Sequence, residues 1–482
     1  MKIFEIINQR VYNSSMIMES SQTDETIELL KNAIEGSEFD GRLFIAGGFV
    51  RDTLLGKNSK DIDIVVDGGP TAGLDAATFI AKKLGIFKQD SNPVLFPTYF
   101  TAKLAIKTNS GPMDVEFVAP RTEKYTPGSR KPAVVAGTLK DDVLRRDFTI
   151  NSLIQNLQTG EILDLSGRGL KDLKNGVLNT TGKPELIFSE DPLRILRAVR
   201  FAIKYGFTLP LNVIKSIKKA APSLKSISAE RINDEISKIL VLNKPGKAFE
   251  LFRITGIMDV ILPELKALDK LKQNKFHNQD ALGHTLTVLD NSSPDLIKRL
   301  AALFHDCGKS STRTEKDGKV QFIGHESIGA DIAKVALRRL KYPTEVIDKV
   351  CIIISNHMGL KSAGPDGTLM KDSTLRKFIY RVSHNLEDVL DVINADNNSH
   401  AVGHGLPEQI NMIRKRIQQM DINQILNTKS ILDGNEIMAL GAKGRLVGDI
   451  KNKILDATLK NPNFTRHDAE VLAKNMIRNL KQ

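Results

Sequence analysis

Two aspartates, Asp61 and Asp63, lie at the start of an apolar run, Ile62-Asp63-Ile64-Val65-Val66, that has the pattern of a buried strand. Side chains two residues apart in a strand point to the same face, so the two carboxylates would project side by side from a rigid element. Shortly before them, Gly47-Gly48 follows a short apolar segment and precedes a helical pattern. The order of these features predicts a strand, glycine turn and helix that bind phosphate, followed by a two-carboxylate site for Mg²⁺.

This combination predicts phosphoryl transfer from a nucleoside triphosphate. A pair of Mg²⁺ ions held by Asp61 and Asp63 can stabilise the attacking and leaving oxygens of an in-line displacement. We expect Gly48 and Arg51 to contact the triphosphate, because glycine lets backbone N–H groups approach phosphate and Arg51 lies within one helical turn. The alternative is a plain turn followed by an edge strand with one solvated face.

A third carboxylate is available in Asp114-Val115-Glu116, where both acids share one face of a predicted strand. Of the two, Glu116 is our prediction for the catalytic position. It would complete a set with Asp61 and Asp63.

The composition limits the possible partners and compartments. The chain has 482 residues, 41% of them hydrophobic, which is more than one core normally holds, so we expect several domains. A net charge of +12 favours a polyanionic partner, with nucleic acid preferred over an acidic membrane surface. With only Cys307 and Cys351 as cysteines, and no signal peptide or membrane-spanning run, we expect a reducing, cytoplasmic location and no membrane partner.

The secondary-structure pattern divides the chain into a mixed domain and a helical remainder. Strand patterns occur at 43–46, 62–66, 101–106 and 115–118. Helical patterns at 23–36, 50–55 and 76–84 accompany them, which predicts a small mixed sheet with helices on one side. Beyond about residue 185, helical periodicity dominates, at 192–203, 211–220, 229–240 and 247–255. The predicted fold class is therefore α+β at the amino terminus and all-α after it.

The segment Glu190-Asp191-Pro192-Leu193-Arg194 predicts a pair of residues that recognises a base. Asp191 and Arg194 are three residues apart, so on a helix they share a face and present an acceptor beside a forked donor. Cytosine and adenine each place an amine donor beside a ring-nitrogen acceptor, so this pair would accept C and A and mismatch U and G. Arg197 and Arg200 continue the spacing, and we expect them to contact the triphosphate or orient the pair. The alternative is an N-cap at Asp191 and a solvated arginine face.

Three longer segments resemble successive motifs of one enzyme family. They are Arg145-Arg146-Asp147-Phe148-Thr149-Ile150-Asn151-Ser152-Leu153, residues 190–202, and Ser228-Ala229-Glu230-Arg231-Ile232-Asn233-Asp234-Glu235. Together with Gly47-Gly48-Phe49-Val50-Arg51-Asp52 and Asp61-Ile62-Asp63, they resemble, in order, the motifs of the class II tRNA nucleotidyltransferase and bacterial poly(A) polymerase family. The rest of the chain is similar to the CCA-adding members of that family that carry an HD domain.

The resemblance implies a polymerase-β-like nucleotidyltransferase domain followed by helical neck, body, HD and tail domains. We place these at 22–182 for the catalytic domain, 183–268 for the neck and RNA-binding body, 269–402 for the HD domain and 403–482 for the tail. The implied activity is template-independent addition or repair of the 3′-terminal CCA of tRNA from CTP and ATP, with release of pyrophosphate. Arg146 would contact triphosphate or ribose, and Asp191 with Arg194 would serve as the amino-acid template.

A second set of metal-ligand residue types lies farther along the chain. His284, His305-Asp306 and Asp396 match the spaced order of the HD phosphohydrolase superfamily, and His325 and His357 fall between them as further candidates. Imidazole and carboxylate ligands on separate helices suit a second divalent metal that would activate water for phosphoester hydrolysis. The alternative for each histidine is a hydrogen-bonded core residue without a metal. We expect His384, His400 and His404 to be ordinary loop or cap residues.

Several functions stay open at this stage. A poly(A) polymerase and a partial CC-adding or A-adding enzyme share the same motifs. Alternatives from other classes are an HD phosphohydrolase whose first domain only binds RNA, and a non-enzymatic tRNA-binding protein. Basic helical surface in the last third, such as Arg414-Lys415-Arg416, would follow the tRNA backbone or form a solvated face.

Overall fold

The computed structural model describes residues 22–59, 61–89, 91–124, 133–273, 278–364, 367–401 and 405–479. These residues form two compact units. The first comprises the described residues up to Arg194 together with Tyr205–Ala220, and the second comprises Ile195–Lys204 and the described residues from Ala221 onward.

The first unit is built on strands. They are β1 (Leu43–Ala46), β2 (Ile62–Val66), β3 (Val94–Phe96), β4 (Thr101–Thr108), β5 (Gly111–Val118), β6 (Arg121–Lys124), β7 (Ala133–Ala136), β8 (Ile154–Asn156) and β9 (Ile162–Leu163). Seven of them form one sheet in the order β3-β4-β5-β2-β1-β8-β9, while β6 and β7 pair separately. Within the large sheet β2 and β5 are parallel and the other neighbours are antiparallel. The mixed sheet predicted from the sequence is confirmed.

One face of this sheet is covered by helices. The first helices of the unit are α1 (Gln22–Ile34), α2 (Gly48–Leu54) and α3 (Ala72–Lys83). Burial alternates along β5, where Met113, Val115 and Phe117 are buried while Asp114 and Glu116 are exposed. The buried side chains face α1 and α3, which pack on β4 and β5. The period of two in the sequence therefore decides which face holds the core and which holds the acids.

Among the described residues, the opposite face of the sheet is covered only in part. Helix α4 (Leu139–Leu144) contributes Val143 to an apolar cluster with residues of β1, β2 and β8, namely Phe44, Ala46, Val65 and Ile154. Farther across the same face, β5 and β4 present the exposed side chains of Glu116 and Lys103. This uncovered area leaves room for a substrate above the acidic residues.

Four more helices follow the sheet; three belong to the first unit and one is divided between the two units. They are α5 (Gly169–Asn175), α6 (Pro184–Glu190), α7 (Leu193–Tyr205) and α8 (Leu211–Ala220). Helices α6 and α8 pack together, and Ser216 Oγ donates a hydrogen bond of 2.6 Å to Glu185 between them. Helix α7 runs from one unit into the other, since Arg194 belongs to the first and Ile195 to the second.

The second unit is mainly helical. Its helices are α9 (Ala229–Leu240), α10 (Gly246–Thr255), α11 (Ile257–Ile261), α12 (Pro263–Lys266), α13 (Ala281–Asn291), α14 (Leu296–Phe304), α15 (Lys309–Thr312), α16 (His325–Arg339), α17 (Thr344–Asn356), α18 (Asp372–Val382), α19 (Leu386–Asn397), α20 (Gln409–Gln418), α21 (Ile422–Leu426), α22 (Gly434–Ala439), α23 (Arg445–Lys460) and α24 (Arg466–Asn479). The predicted helices at 211–220 and 229–240 coincide with α8 and α9, because apolar residues at spacings of three and four form one buried stripe on each. No helix among the described residues is long and apolar enough to cross a membrane.

One element of the second unit was not predicted from the sequence. A hairpin of β10 (Thr314–Lys316) and β11 (Lys319–Gln321) interrupts the helices. Asp317 and Gly318 join the two strands with φ of 51° and 71°, the left-handed pair that a tight two-residue hairpin turn requires. An Asp-Gly pair between two short segments is a recognisable hairpin signal, so the all-α prediction for this region needs that small correction.

Candidate active site and metal centre

The acidic pair and the third carboxylate meet at the parallel junction of β2 and β5. Asp63 is in register with Glu116 across that junction, and Asp61 immediately precedes β2. Asp63 is exposed to solvent, yet the protein around its carboxylate desolvates it in part; this effect, together with the charges of Glu116 and Asp61, raises its pKa above the usual value, although Arg146 opposes the rise. A cluster of carboxylates that disfavours its own ionisation is relieved by a divalent cation, so these residues fit a hard metal ion.

The two candidates for the third carboxylate have different partners. Asp114 Oδ2 forms an ion pair of 2.7 Å with Lys103 Nζ, whereas Glu116 lies opposite Asp63 in the strand register. The position of Glu116 supports the choice made from the sequence, which stays a prediction. The oxygens of Asp61, Asp63 and Glu116 are not among the groups of the described residues whose ligand atoms all lie within 4.8 Å of one another.

The glycine turn lies between this acidic edge and the half-buried Arg146. Gly47 has φ of 70° and ψ of −124°, a conformation that L side chains rarely adopt. A Cβ atom there would lie 3.0 Å from Arg146 Nη1 and 4.0 Å from Asp63 Oδ2. Gly47 therefore lets the backbone at the start of α2 approach both groups.

Arg146 is held next to the turn by a buried carboxylate. Its Nη2 lies 3.0 Å from Asp142 Oδ2, and its Nη1 donates a bond of 3.3 Å to the carbonyl of Asn151. Burial would raise the pKa of Asp142, but the charges of Arg146 and Arg145 outweigh it and hold that pKa below the usual value. The Nε atom of Arg146 is buried and has no hydrogen-bond partner within the described part of the chain, which suits an anionic ligand.

Arg51 occupies a different environment from the one predicted. Its side chain is buried, its Nη1 donates to Asn151 Oδ1, and its Nε and Nη2 donate bonds of 2.9 Å to Asp52. The guanidinium also lies 4.6 Å from the ring centroid of Tyr205. In this arrangement Arg51 braces the glycine turn, and the geometry gives no support to a direct triphosphate contact.

The prediction that Asp191 and Arg194 share one face of a helix is wrong. Asp191 precedes α7 in an extended conformation, and its Oδ1 accepts a hydrogen bond of 3.1 Å from Leu193 N. Arg194 lies inside α7, is 8% exposed, and donates to Glu190 Oε2 at 2.7 Å and to the carbonyl of Arg145 at 2.9 Å. This hydrogen bond is compatible with the N-cap alternative for Asp191, and base recognition by the pair stays a prediction.

Arg197 and Arg200 converge on one buried acid in the second unit. Glu235 of α9 is 2% exposed and receives bonds of 2.6 and 3.2 Å from Arg200, with Arg197 Nη1 at 3.9 Å. The arginines are therefore not a plain solvated face. Glu235 therefore holds both arginines within the second unit, and the predicted phosphate contacts of the two arginines stay predictions.

The six residues predicted for the HD site all come together in the second unit. His284, His305, Asp306, His325, His357 and Asp396 are each at most 4% exposed. Asp306 lies at the centre of the cluster. Its carboxylate oxygens are 3.2 Å from the Nε2 atom of His305, 3.4 Å from that of His325 and 3.8 Å from that of His284. His284 Nε2 is also 2.9 Å from Asp396 Oδ1. The cluster contains two groups of three residues whose ligand atoms all lie within 4.8 Å of one another. Asp306 belongs to both groups, with His284 and His305 in one and with His325 and His357 in the other.

The histidine rings are oriented by backbone carbonyls. The Nδ1 atoms of His305, His325 and His357 lie 2.8, 2.7 and 2.6 Å from the carbonyl oxygens of Ala302, Phe322 and Ile354. A Nδ1–H that donates to a carbonyl leaves the lone pair on Nε2, and all three Nε2 atoms face Asp306. This is the orientation that metal-binding histidines adopt, so the donor set fits a divalent metal ion.

The electrostatics of the cluster favour the metal-binding form of its two carboxylates and of His357. They do not favour that form of His305, because burial would lower the pKa of His305 but Asp306 raises it. Burial would raise the pKa of Asp306, but His305 and Lys309 hold it well below the usual value. Lys361 and His284 do the same for the pKa of Asp396. Burial and the neighbouring His305 and His325 lower the pKa of His357 to about 3. Ionised carboxylates and neutral imidazole are the forms that bind metal.

A cavity of about 400 Å³ opens onto this centre. It is lined by Asp306, His325, His357 and Asp396, by residues of the β11 end of the hairpin, and by two lysines. Lys309 donates bonds of 2.6 Å to Asp306 and 2.7 Å to Gln273, and Lys361 is the second lysine of the lining. Metal-ligand residues beside two cations suit a phosphate group.

Two basic residues expected to follow an RNA backbone are bound within the protein. Arg414 forms ion pairs of 3.0 Å with Glu387 and 2.6 Å with Asp391. Arg416 donates to Asp372 and, at 2.6 Å, to the carbonyl of Met370. Both are therefore structural contacts within the helical unit.

Comparison with known proteins agrees with this geometry. Residues 43–179 match the family described as "Poly A polymerase head domain", 206–268 match "Probable RNA and SrmB-binding site of polymerase A", and 282–397 match "HD domain". The chain is 30% identical to the mitochondrial CCA tRNA nucleotidyltransferase of Saccharomyces cerevisiae, over 88% of this chain and 86% of the relative. The chain belongs to the tRNA nucleotidyltransferase and poly(A) polymerase family.

Other members of the tRNA nucleotidyltransferase and poly(A) polymerase family are similar over most of the chain. The CC-adding tRNA nucleotidyltransferase of Thermus thermophilus is 29% identical over 88% of this chain and 92% of its own. Among solved structures, the CCA-adding enzyme of Bacillus stearothermophilus in complex with CTP has a TM-score of 0.63, with 21% identity over 95% of this chain and 98% of that one. At that identity the likeness shows a shared fold, an amino-terminal head with a mixed sheet followed by helical domains. Families of this kind, and HD proteins, usually use divalent metals.

Several site residues of this family member were not found from the sequence. Asp142 and Asn151 position Arg146 and Arg51. Asp142 lies four residues before Arg146, a spacing that could have been read from the sequence, whereas Asn151 contacts Arg51 across 100 residues. His400 was expected to be an ordinary loop or cap residue, whereas its ring lies 5.5 Å from that of His284 and its Nδ1 lies 2.8 Å from the carbonyl of Asp396. His404, given the same expectation, lies outside the described residues.

Proposed function

We propose that this protein adds or repairs the 3′-terminal CCA of tRNA, using CTP and ATP and releasing pyrophosphate. The observation that carries the proposal is the register of Asp63 with Glu116, beside the Gly47 turn and the Arg146 guanidinium. The yeast relative is named a CCA tRNA nucleotidyltransferase, which supports the same activity for this chain. The cytoplasmic location stays a prediction, and that yeast relative is mitochondrial.

The residues of the head divide the work of the reaction. Asp61, Asp63 and Glu116 would hold Mg²⁺, which when bound lowers the barrier to displacement at the α-phosphate by stabilising the developing charge. Arg146, with its buried Nε and its position against Gly47, binds the triphosphate, and backbone N–H groups at the start of α2 contribute to that contact. Arg51 holds the turn in place through Asp52 and Asn151.

Asp191 and Arg194 supply the base selection in this proposal. The Asp191 carboxylate accepts a hydrogen bond from Leu193 N at the start of α7, and a carboxylate is an acceptor that suits an exocyclic amine. Arg194 is held through Glu190, which is an exposed partner that a base can replace. Recognition of C and A by this pair requires that exchange of partners.

The direct test is extension of a tRNA that lacks its CCA end, resolved to single nucleotides, with Mg²⁺ and CTP, ATP or both. The proposal predicts two Cs and then one A with the purified full chain. Asp61→Ala should abolish extension, whereas Asp67→Asn, which changes an exposed acid just beyond β2, should not.

A partial enzyme is the second candidate, because the Thermus thermophilus relative is named CC-adding. The same assay separates the two. Two Cs without an A would replace our proposal by CC addition, and a long ladder of As would indicate a poly(A) polymerase.

We also propose metal-dependent phosphoester hydrolysis at the HD site. His284, His305, Asp306 and Asp396, with His325 and His357, would hold a divalent metal, which when bound supplies an activated water. Lys309 and Lys361 neutralise a phosphate in the cavity. Hydrolysis of p-nitrophenyl phosphate and of a 2′,3′-cyclic nucleotide, in wild type and His305→Ala, tests this activity. Equal rates in the two proteins would exclude the site.

A further inference from the structure

Lys103 occupies the same row of the sheet as the catalytic acids. On β4 it is in register with Glu116 of β5, and Glu116 is in register with Asp63 of β2. Paired residues on neighbouring strands point to the same face, so one line of side chains crosses the open face from Asp63 through Glu116 to Lys103. Lys103 thus lies one strand beyond the third carboxylate.

The Lys103 ammonium is accessible and easily redirected. Its Nζ lies 2.7 Å from Asp114 Oδ2, and the two side chains are 52% and 57% exposed. An ion pair with this exposure contributes little to stability, so exchange of Asp114 for another anion costs little. Lysine carries three donors, and Asp114 occupies one of them.

The geometry of the reaction determines which part of the substrate passes over Lys103. Gly47 and Arg146, which face the triphosphate, lie on the β1 side of Asp63. In an in-line displacement the attacking oxygen approaches the α-phosphorus opposite the leaving pyrophosphate. With the pyrophosphate on the β1 side, the 3′-hydroxyl of the RNA comes from the β5 and β4 side.

The strand beyond Lys103 is suited to the same occupant. Val94 and Phe96 of β3 pair with Lys103 and Thr101, so both point to the open face. Phe96 is 44% exposed, which is unusual for so large an apolar ring. An exposed aromatic side chain beside a lysine is the combination that binds single-stranded RNA, through base stacking and phosphate contact.

We propose that Lys103 binds a backbone phosphate near the 3′ end of the RNA that is extended, and so positions the attacking hydroxyl. The proposal rests on the nucleotide-adding function assigned to the head. It assigns to Lys103 a contact with RNA and none with the incoming nucleotide. The competing explanation is a solvated ion pair that has no part in the reaction.

The test compares Lys103→Gln with Lys107→Gln in the full-length protein. Lys107 lies on the same strand and face, roughly 13 Å farther along, and pairs with Pro112 rather than with an acid. For Lys103→Gln we expect the KM for tRNA lacking CCA to rise about three- to tenfold and the salt dependence of RNA binding to lose about one unit of slope. The KM for CTP should stay unchanged, Lys103→Arg should restore the KM for tRNA, and Lys107→Gln should behave as wild type.

Three results would overturn the proposal. An unchanged KM for tRNA in Lys103→Gln would show that the ion pair is only solvated surface. An equal effect of Lys107→Gln would show a general charge effect, and a raised KM for CTP would place Lys103 on the nucleotide. If wild type itself does not extend tRNA, the proposed function fails, and the Lys103 proposal fails with it for that separate reason.

Discussion

At the scale of single residues, the head domain depends on buried charges that hold other charges in place. Asp142 is 1% exposed and fixes Arg146 and Arg145 through bonds of 3.0 and 2.7 Å. Asp52 and Asn151 do the same for Arg51. Because a buried charge without its partner is strongly disfavoured, substitutions of these partners should disturb the site through the arginines that they hold.

Asp142→Asn should lower the free energy of unfolding of the head by about 2 kcal/mol at neutral pH, because a charge-assisted pair is lost. The folded pKa of Asp142 lies below the ordinary 3.8, so its contribution is present above pH 3.8 and is lost as the pH falls through the lower folded value. Urea unfolding between pH 3 and 7 would measure this. The difference between wild type and the variant should shrink towards acid pH, and a constant difference would contradict it.

Gly47→Ala should reduce nucleotide addition much more than stability. The substitution places a Cβ 3.0 Å from Arg146 Nη1 and strains a φ of 70°, at a cost of about 1–3 kcal/mol. Gly56→Ala is the matched control, since its φ is 68° and a Cβ there meets no atom within 4 Å. Thermal unfolding and the KM for CTP should be measured for both. If Gly56→Ala raises the KM for CTP equally, backbone strain rather than displacement of Arg146 is responsible.

At the scale of elements, regular periodicity was readable from the sequence and long-range partners were not. β1, β2, α8 and α9 lie where apolar alternation or helical spacing placed them, because burial of one face sets that pattern. Asp191 was placed on a helix because its spacing to Arg194 fits one, yet the chain is extended there and α7 starts at Leu193. The acid that receives Arg200 stands 35 residues away on α9, which no local pattern reveals.

The hairpin of β10 and β11 gives a prediction at this scale. Gly318→Val introduces a β-branched side chain at a φ of 71°, which the tight turn does not accept. Because residues of β11 line the cavity beside the HD cluster, phosphoester hydrolysis should fall while CCA addition is retained. Lys319→Val is the control, since it keeps the turn and Lys319 does not line the cavity. Equal losses in both variants would contradict a role for the turn.

At the scale of the whole molecule, two centres lie in separate compact units. The carboxylates of the addition site belong to the first unit and the HD cluster belongs to the second. The activities should therefore separate by mutation. Asp61→Ala should abolish addition and leave hydrolysis at the wild-type rate, and His305→Ala should do the reverse, as parallel assays of both activities would show. Loss of both activities in either variant would contradict independence.

The HD centre should also be detectable without any activity. A metal that binds only the folded state stabilises it by mass action, by about 2.7 kcal/mol at a hundredfold excess over Kd, which is about 5 °C or more in Tm. Thermal scans with and without Mn²⁺ should show this shift in wild type. Asp306→Asn should lose it, whereas Asp348→Asn, which changes an exposed acid on α17, should keep it. An equal shift in Asp306→Asn would place the metal elsewhere.

The carbonyls that receive the Nδ1 atoms of His305, His325 and His357 each lie three residues earlier in the same stretch of chain. The tautomer of each of these three rings is thus set by a hydrogen bond to a nearby carbonyl, and not by the helix that the ring faces. The contact that orients each ring, and with it the lone pair on Nε2, is thus formed within a single segment of the chain. Three of the six residues of the cluster are therefore oriented by their own segments, so changes in the surrounding helices can alter the cavity while these three rings keep their orientation.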